Sequence, residues 1–238
     1  MHKRLVSTLC AALVAVLISG TAVAGPLTTD PNAIPGWQGS TPFNATLGGS
    51  VLVTNVDYAV YAPGQFGNSV AMGAPGHTPF DPSGGTDYVY AYEILNTGGN
   101  SKVLTLSVGL DYLNGAVPTS ATSIGHDPNT PELGTAPTGT SAAIFNPAVG
   151  TKQNGRWSWS SIGGLVAGGH SDILIFSSPF GPQMYQSTVA GIGVSTPNTP
   201  GNVLPSPTPE PTTAALAAIG GVCLLAAART FRRRIPAR

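Results

Sequence analysis

The 238 residues carry ten Lys and Arg against ten Asp and Glu, only two cysteines, and charges that are segregated along the chain. Lys3 and Arg4 open the chain and Arg229, Arg232, Arg233, Arg234 and Arg238 close it, so three cations, Lys102, Lys152 and Arg156, face nine acids in the middle, at about −6. That acidic middle excludes nucleic acid as a partner, because phosphate binding depends on Lys and Arg, and Cys10 and Cys223 lie in the two apolar ends, which excludes disulfide stapling of what lies between.

The first predicted element is a secretory signal over residues 1–24. His2-Lys3-Arg4 precedes an apolar run from Leu5 to Ile18, then Ser19-Gly20, then Ala22-Val23-Ala24 before Gly25. Cleavage is expected between Ala24 and Gly25. An uncleaved anchor needs about 17 to 25 apolar residues, and this run is shorter.

Residues 25–46, rich in Pro, Gly, Thr and Asn, read as a loop-like lead-in. Ser50 to Tyr61, dense in Val, Tyr and Thr, predicts a strand that ends at Ala62-Pro63-Gly64. Gly64 to Thr86, with Pro75-Gly76, Asp81-Pro82 and Ser83-Gly84-Gly85, predicts a long irregular excursion. In 87–112, Tyr88, Tyr90, Tyr92 and Ile94 alternate with Val89, Ala91, Glu93 and Leu95. After Asn96-Thr97-Gly98-Gly99-Asn100, Leu104, Leu106, Val108, Leu110 and Tyr112 alternate with polar residues, which predicts a β-hairpin. This Tyr-Val-Tyr-Ala-Tyr-Glu-Ile-Leu-Asn-Thr-Gly-Gly stretch resembles strand-and-turn segments of bacterial immunoglobulin-like surface domains.

Shorter strands are expected at Val117 to Ile124, before the turn at Asp127-Pro128, and at Arg156-Trp157-Ser158-Trp159-Ser160, Ser171 to Ser178 and Ser187 to Ser195. Seven or eight strands with no helical periodicity predict an all-β domain over 25–196, an immunoglobulin-like or jelly-roll-type β-sandwich flanked by the N-terminal signal helix and a short C-terminal transmembrane helix. Residues 197–211, punctuated by Pro197, Pro200, Pro205, Pro207, Pro209 and Pro211, read as an extended polyproline stalk.

In 212–238 the apolar stretch from Ala214 to Ala228 rises about 22 Å as a helix, short of a bilayer core of about 30 Å. Its basic tail should stay cytoplasmic. Pro209-Glu210-Pro211 before it and Arg232-Arg233-Arg234 after it resemble the tripartite PEP-CTERM sorting signal, in that family's order. The resemblance implies recognition by an exosortase-type membrane enzyme, in bacteria that make exopolysaccharide. It also implies transient anchoring followed by release to the cell envelope or the extracellular matrix. The other reading is an ordinary tail anchor with a proline-rich stalk.

No converging chemistry is evident. His77, His126 and His170 lack the spacing of a zinc motif. His170-Ser171-Asp172 places triad residue types side by side, whereas a triad needs them to meet from different directions, so a turn entering a strand competes with a hydrolase reading. Asp81 and Asp87, and separately Asp127, Asn129 and Glu132, are oxygen-rich turns that either hold calcium or stabilise their own backbone. Trp157 with Trp159, and Tyr88, Tyr90 and Tyr92, each share a strand face, which is either a sugar-stacking platform or the sandwich core. The expectation is a non-enzymatic envelope or matrix protein without cofactor, with a carbohydrate-binding or adhesive module as the alternative and a secreted hydrolase as a remote one.

Overall fold

Val, Ile, Tyr and Phe at every second position make strands that bury one face, and runs without alternation make strands that bury both. The computed structural model of the chain describes residues 26–69, 80–110, 124–127, 134–143, 153–197 and 201–207. The expected signal helix with its Ala24-Gly25 cleavage point and the whole C-terminal signal lie outside the described residues, as do His77, Asn129 and Glu132. Among the described residues no helix is long and apolar enough to cross a membrane.

The described residues form eleven strands, in order β1 (Gln38–Leu47), β2 (Ser50–Tyr61), β3 (Tyr88–Gly99), β4 (Val103–Leu110), β5 (Ile124–Asp127), β6 (Gly139–Ala143), β7 (Gln153–Ser158), β8 (Ile173–Ser178), β9 (Pro182–Gly191), β10 (Val194–Ser195) and β11 (Val203–Pro207). One sheet runs β1-β2-β3-β8-β5 and the other β10-β9-β4-β7-β6, with β11 also on β9. Every strand pair is antiparallel. The expected all-β sandwich is what forms.

Between the sheets lies the main core, with Val56, Tyr90, Tyr92 and Ile94 from the first sheet against Leu106, Val108, Trp157 and Val189 from the second. The first sheet also buries its outer face. There Ala59, Tyr61, Val89, Ala91, Ile173 and Ile175 pack beneath Leu27 and Ala33 of the N-terminal segment and Phe66 of a short 3-10 helix. Hence β8 has six consecutive buried residues. Asp30 latches this cover in place, because its Oδ2 accepts hydrogen bonds from the Tyr61 hydroxyl at 3.0 Å and from the Ser69 hydroxyl, and its Oδ1 accepts one from the Asn32 backbone N–H at 2.9 Å.

Four expectations are corrected. The lead-in is not all loop, since Gln38–Leu47 forms β1 and pairs with β2 along its length. An edge strand tolerates Pro42, and Gly48 and Gly49, both at positive φ, close the hairpin. The expected 87–112 hairpin does not form either: β3 pairs with β2 and β8 while β4 pairs with β7 and β9, so the connection crosses between sheets. Residues 100–102 are tied back to β2, because the backbone N–H groups of Asn100 and Ser101 both donate to the Val51 carbonyl. The Ser187 to Ser195 run is split by the Ile192-Gly193 turn into the end of β9 and β10. Finally, Val203–Pro207 is extended as its prolines dictate, but it is a docked strand and not a free stalk.

Candidate functional site

A cluster of buried polar residues, Glu93, Asp127, Ser171 and Asp172, lies where β3, β8 and β5 meet. From the Tyr92↔Leu174 pair to the Leu95↔His170 bridge, β3 advances three residues and the opposing chain four, which is a β-bulge. The bulge puts His170 on the outer face with Glu93, and leaves Asp172 in step with the inward-facing Leu174 and Phe176.

Two histidine–carboxylate pairs result. His170 Nδ1 lies 3.0 Å from Glu93 Oε1, and His126 Nδ1 lies 3.0 Å from Asp172 Oδ2. Each carboxylate is buried while its imidazole keeps 24% and 29% side-chain exposure, respectively. Asp57 stands directly across from Glu93 on β2, also buried. Like charges opposite one another destabilise a sheet, so a donor beside Glu93 offsets part of that cost.

Ser171 between the pairs is wholly buried and serves the bulge. Its hydroxyl donates to the Asp172 carbonyl at 2.7 Å and accepts from the Ile94 N–H at 3.0 Å. His170, Ser171 and Asp172 therefore do not assemble a triad, since His170 engages Glu93 and Asp172 engages His126.

The calcium candidates are dispersed as well. Asp81 Oδ1 accepts from the Ser83 N–H at 2.8 Å and the Ser83 hydroxyl at 2.7 Å, an Asx turn. Asp87 accepts a long 3.4 Å bond from the Thr86 hydroxyl, and Asp127 Oδ2 accepts from the Phe80 N–H at 2.8 Å. Asp127 thus meets the residue that precedes Asp81, while Asp81 itself is turned to Ser83. Among the described residues no group of three His, Cys, Asp or Glu is placed to hold a metal ion.

The aromatic faces are core, so the sugar-stacking platform expected as an alternative is corrected for these rings. Trp157, Trp159, Tyr90 and Tyr92 are essentially inaccessible and Tyr88 is half-buried against them. The indole N–H groups donate to Gly125 O at 2.7 Å and Thr135 O at 2.9 Å, so burial leaves neither unsatisfied.

The outer face of the second sheet is different. Ser141 on β6, Arg156 on β7, Ser107 on β4 and Thr188 on β9 occupy one row across four strands. Ser141 and Arg156 are exposed, and Ser107 and Thr188 partly so. Strand spacing makes this row about 14 Å long. Sequence reading did not find it, because the row exists only in the cross-strand register. No protein-family model, curated protein or solved structure matches the chain.

Proposed function

We propose that this chain is a non-enzymatic protein of the cell envelope or extracellular matrix, exported by the general secretion route and sorted through its C-terminal signal. The carrying observation is the order Pro209-Glu210-Pro211, apolar segment, Arg232-Arg233-Arg234 at the end of a chain that opens with Lys3-Arg4 and an apolar run. An exosortase-type membrane enzyme is the processing partner in this reading, and the membrane holds the C-terminal helix before processing. A structural or biofilm-associated role is supported by a sandwich whose Trp157, Trp159, Tyr90 and Tyr92 fill its own core and whose Ser171 and Asp172 are engaged within it. We read the sandwich as immunoglobulin-like or jelly-roll-type, supported by two antiparallel sheets that exchange consecutive strands.

Replacing Pro209, Glu210 and Pro211 with alanine tests the sorting. The expected outcome in fractionated cells is an unprocessed, membrane-retained protein, and unchanged processing and location overturn the proposal.

The Ser141–Arg156–Ser107–Thr188 row favours a second reading, a carbohydrate-binding or adhesive surface, since hydroxyl donors flanking a guanidinium suit an acidic polysaccharide such as an exopolysaccharide. Glycan-array binding that is lost in Arg156→Ala supports it. Absence of binding leaves the structural role.

A further inference from the structure

At one end of the sandwich four connections are laced together. Asn100 joins the β3–β4 link to the β1–β2 turn, donating to Gly49 O at 3.0 Å and accepting from the Val51 N–H at 2.7 Å. The Ile192 N–H donates to Lys102 O at 3.1 Å, which brings in the β9–β10 turn. Val103 and Leu165 exchange backbone bonds of 3.0 and 2.8 Å, which brings in the segment between β7 and β8.

The end of β1 and two of these connections carry exposed aliphatic side chains at this laced base. Leu47 is 65% exposed, Ile162 53%, Val166 51% and Ile192 50%. They account for four of the six large hydrophobic residues exposed among the described ones. Lys102, exposed, is joined to one of them through the bond from the Ile192 N–H to its carbonyl. The described acids are either buried or, like Asp81 and Asp87, in the β2–β3 connection at the other end. Among the described residues, this end combines apolar tips with a cation and holds no exposed acid.

We propose that this end docks on an anionic lipid surface. Isolated aliphatic side chains on turns can each enter the interfacial layer, while a lysine beside them meets lipid phosphate. A second copy of the chain fits less well, because four half-exposed side chains fall well short of the roughly 800 Å² per partner of a stable interface. The direction of the chain also matters. β11 is antiparallel to β9, and Pro207 pairs with Pro182, so β11 finishes at the opposite end of the sandwich. Lipid contact by the tips is thus distinguishable from a contact made at the end where β11 finishes.

The test keeps the two contacts apart. In the full chain with Cys10→Ser and Cys223→Ser, an environment-sensitive fluorophore is attached to Ile192→Cys at the tips, or to Gln65→Cys, exposed at the opposite end. The vesicles are phosphatidylethanolamine with phosphatidylglycerol. The expected result is a blue shift at position 192 and none at position 65. Leu47→Asn with Val166→Asn should weaken that response at least tenfold, and Lys102→Gln about fivefold with loss of the preference over phosphatidylcholine vesicles. An aqueous spectrum at 192 on vesicles overturns the proposal, as does an equal shift at both positions. A shift that grows with protein concentration in the absence of lipid also overturns it, in favour of self-association. The label reports on an otherwise intact tip, so misfolding of a variant does not rescue the idea.

Discussion

Tyr61, Tyr90 and Tyr92 each carry a hydroxyl into the interior, where it donates to Asp30 Oδ2 at 3.0 Å, Phe180 O at 2.7 Å and Pro205 O at 2.5 Å, respectively. Burial pushes all three phenols above their ordinary value. Because the folded-state values are raised, the stability these residues contribute is complete below about pH 10, the unfolded value. It is lost as pH climbs beyond that, where the unfolded chain releases protons that the folded chain keeps. Tyrosinate absorbance should therefore rise together with loss of near-ultraviolet dichroism in one alkaline transition. Separate ionisation of these phenols before unfolding would contradict this. Tyr92→Phe orphans the buried Pro205 carbonyl and should cost about 1–3 kcal/mol in chemical denaturation. Trp157→Ala, at the centre of the core against Tyr92 with ring centroids 5.8 Å apart, should cost about 3–5 kcal/mol. The sequence displayed these aromatic residues on shared strand faces but not which face was covered. His126–Asp172 and His170–Glu93 were illegible for another reason: each joins residues 46 and 77 positions apart through a bulge that no local pattern announces.

Among the elements, Ser50–Tyr61 begins and ends where its composition places it, and Ile173–Ser178 falls within the expected run. β1 was missed because Gln38–Leu47 is poor in strand formers and is held by pairing with β2. The expected hairpin failed at its turn. Asn96-Thr97-Gly98-Gly99-Asn100 does interrupt the alternation, but it carries the chain from one sheet to the other. Gly99 is the hinge of that crossing, with φ +83° and no room for a Cβ against the Val51 carbonyl. Gly99→Ala should thus destabilise by more than about 2 kcal/mol, measured by urea unfolding, whereas Gly36→Ala, also at positive φ but in open space, should cost about 1 kcal/mol. β11 offers a sharper comparison. Leu204 is fully buried, so Leu204→Ala should cost about 2–5 kcal/mol, and a change near zero is what a free stalk would give.

For the whole molecule, an all-β sandwich was legible because alternation and turn residues repeat along the chain, while its pairing order was not. The second core on the outer face of the first sheet was equally hidden, since Leu27, Ala33 and Phe66 lie in segments without alternation. The described sandwich contains no cysteine, so its thermal midpoint should be the same with and without a thiol reductant, and a shift would reveal a contribution from Cys10 or Cys223. The docking of β11 also fixes how the molecule carries tension. A pull on residues beyond Pro207 along the strand axis, resisted at the opposite end, loads the five β9–β11 residue pairs side by side in shear. The Tyr92 hydroxyl on Pro205 and the bond from the Ser206 hydroxyl to Gly109 O add cross-ties to β3 and β4, so the strand must slide past three neighbours at once. A pull across the strand would instead open those pairs singly. Held by its tail, the domain is strong along its length and weak across it.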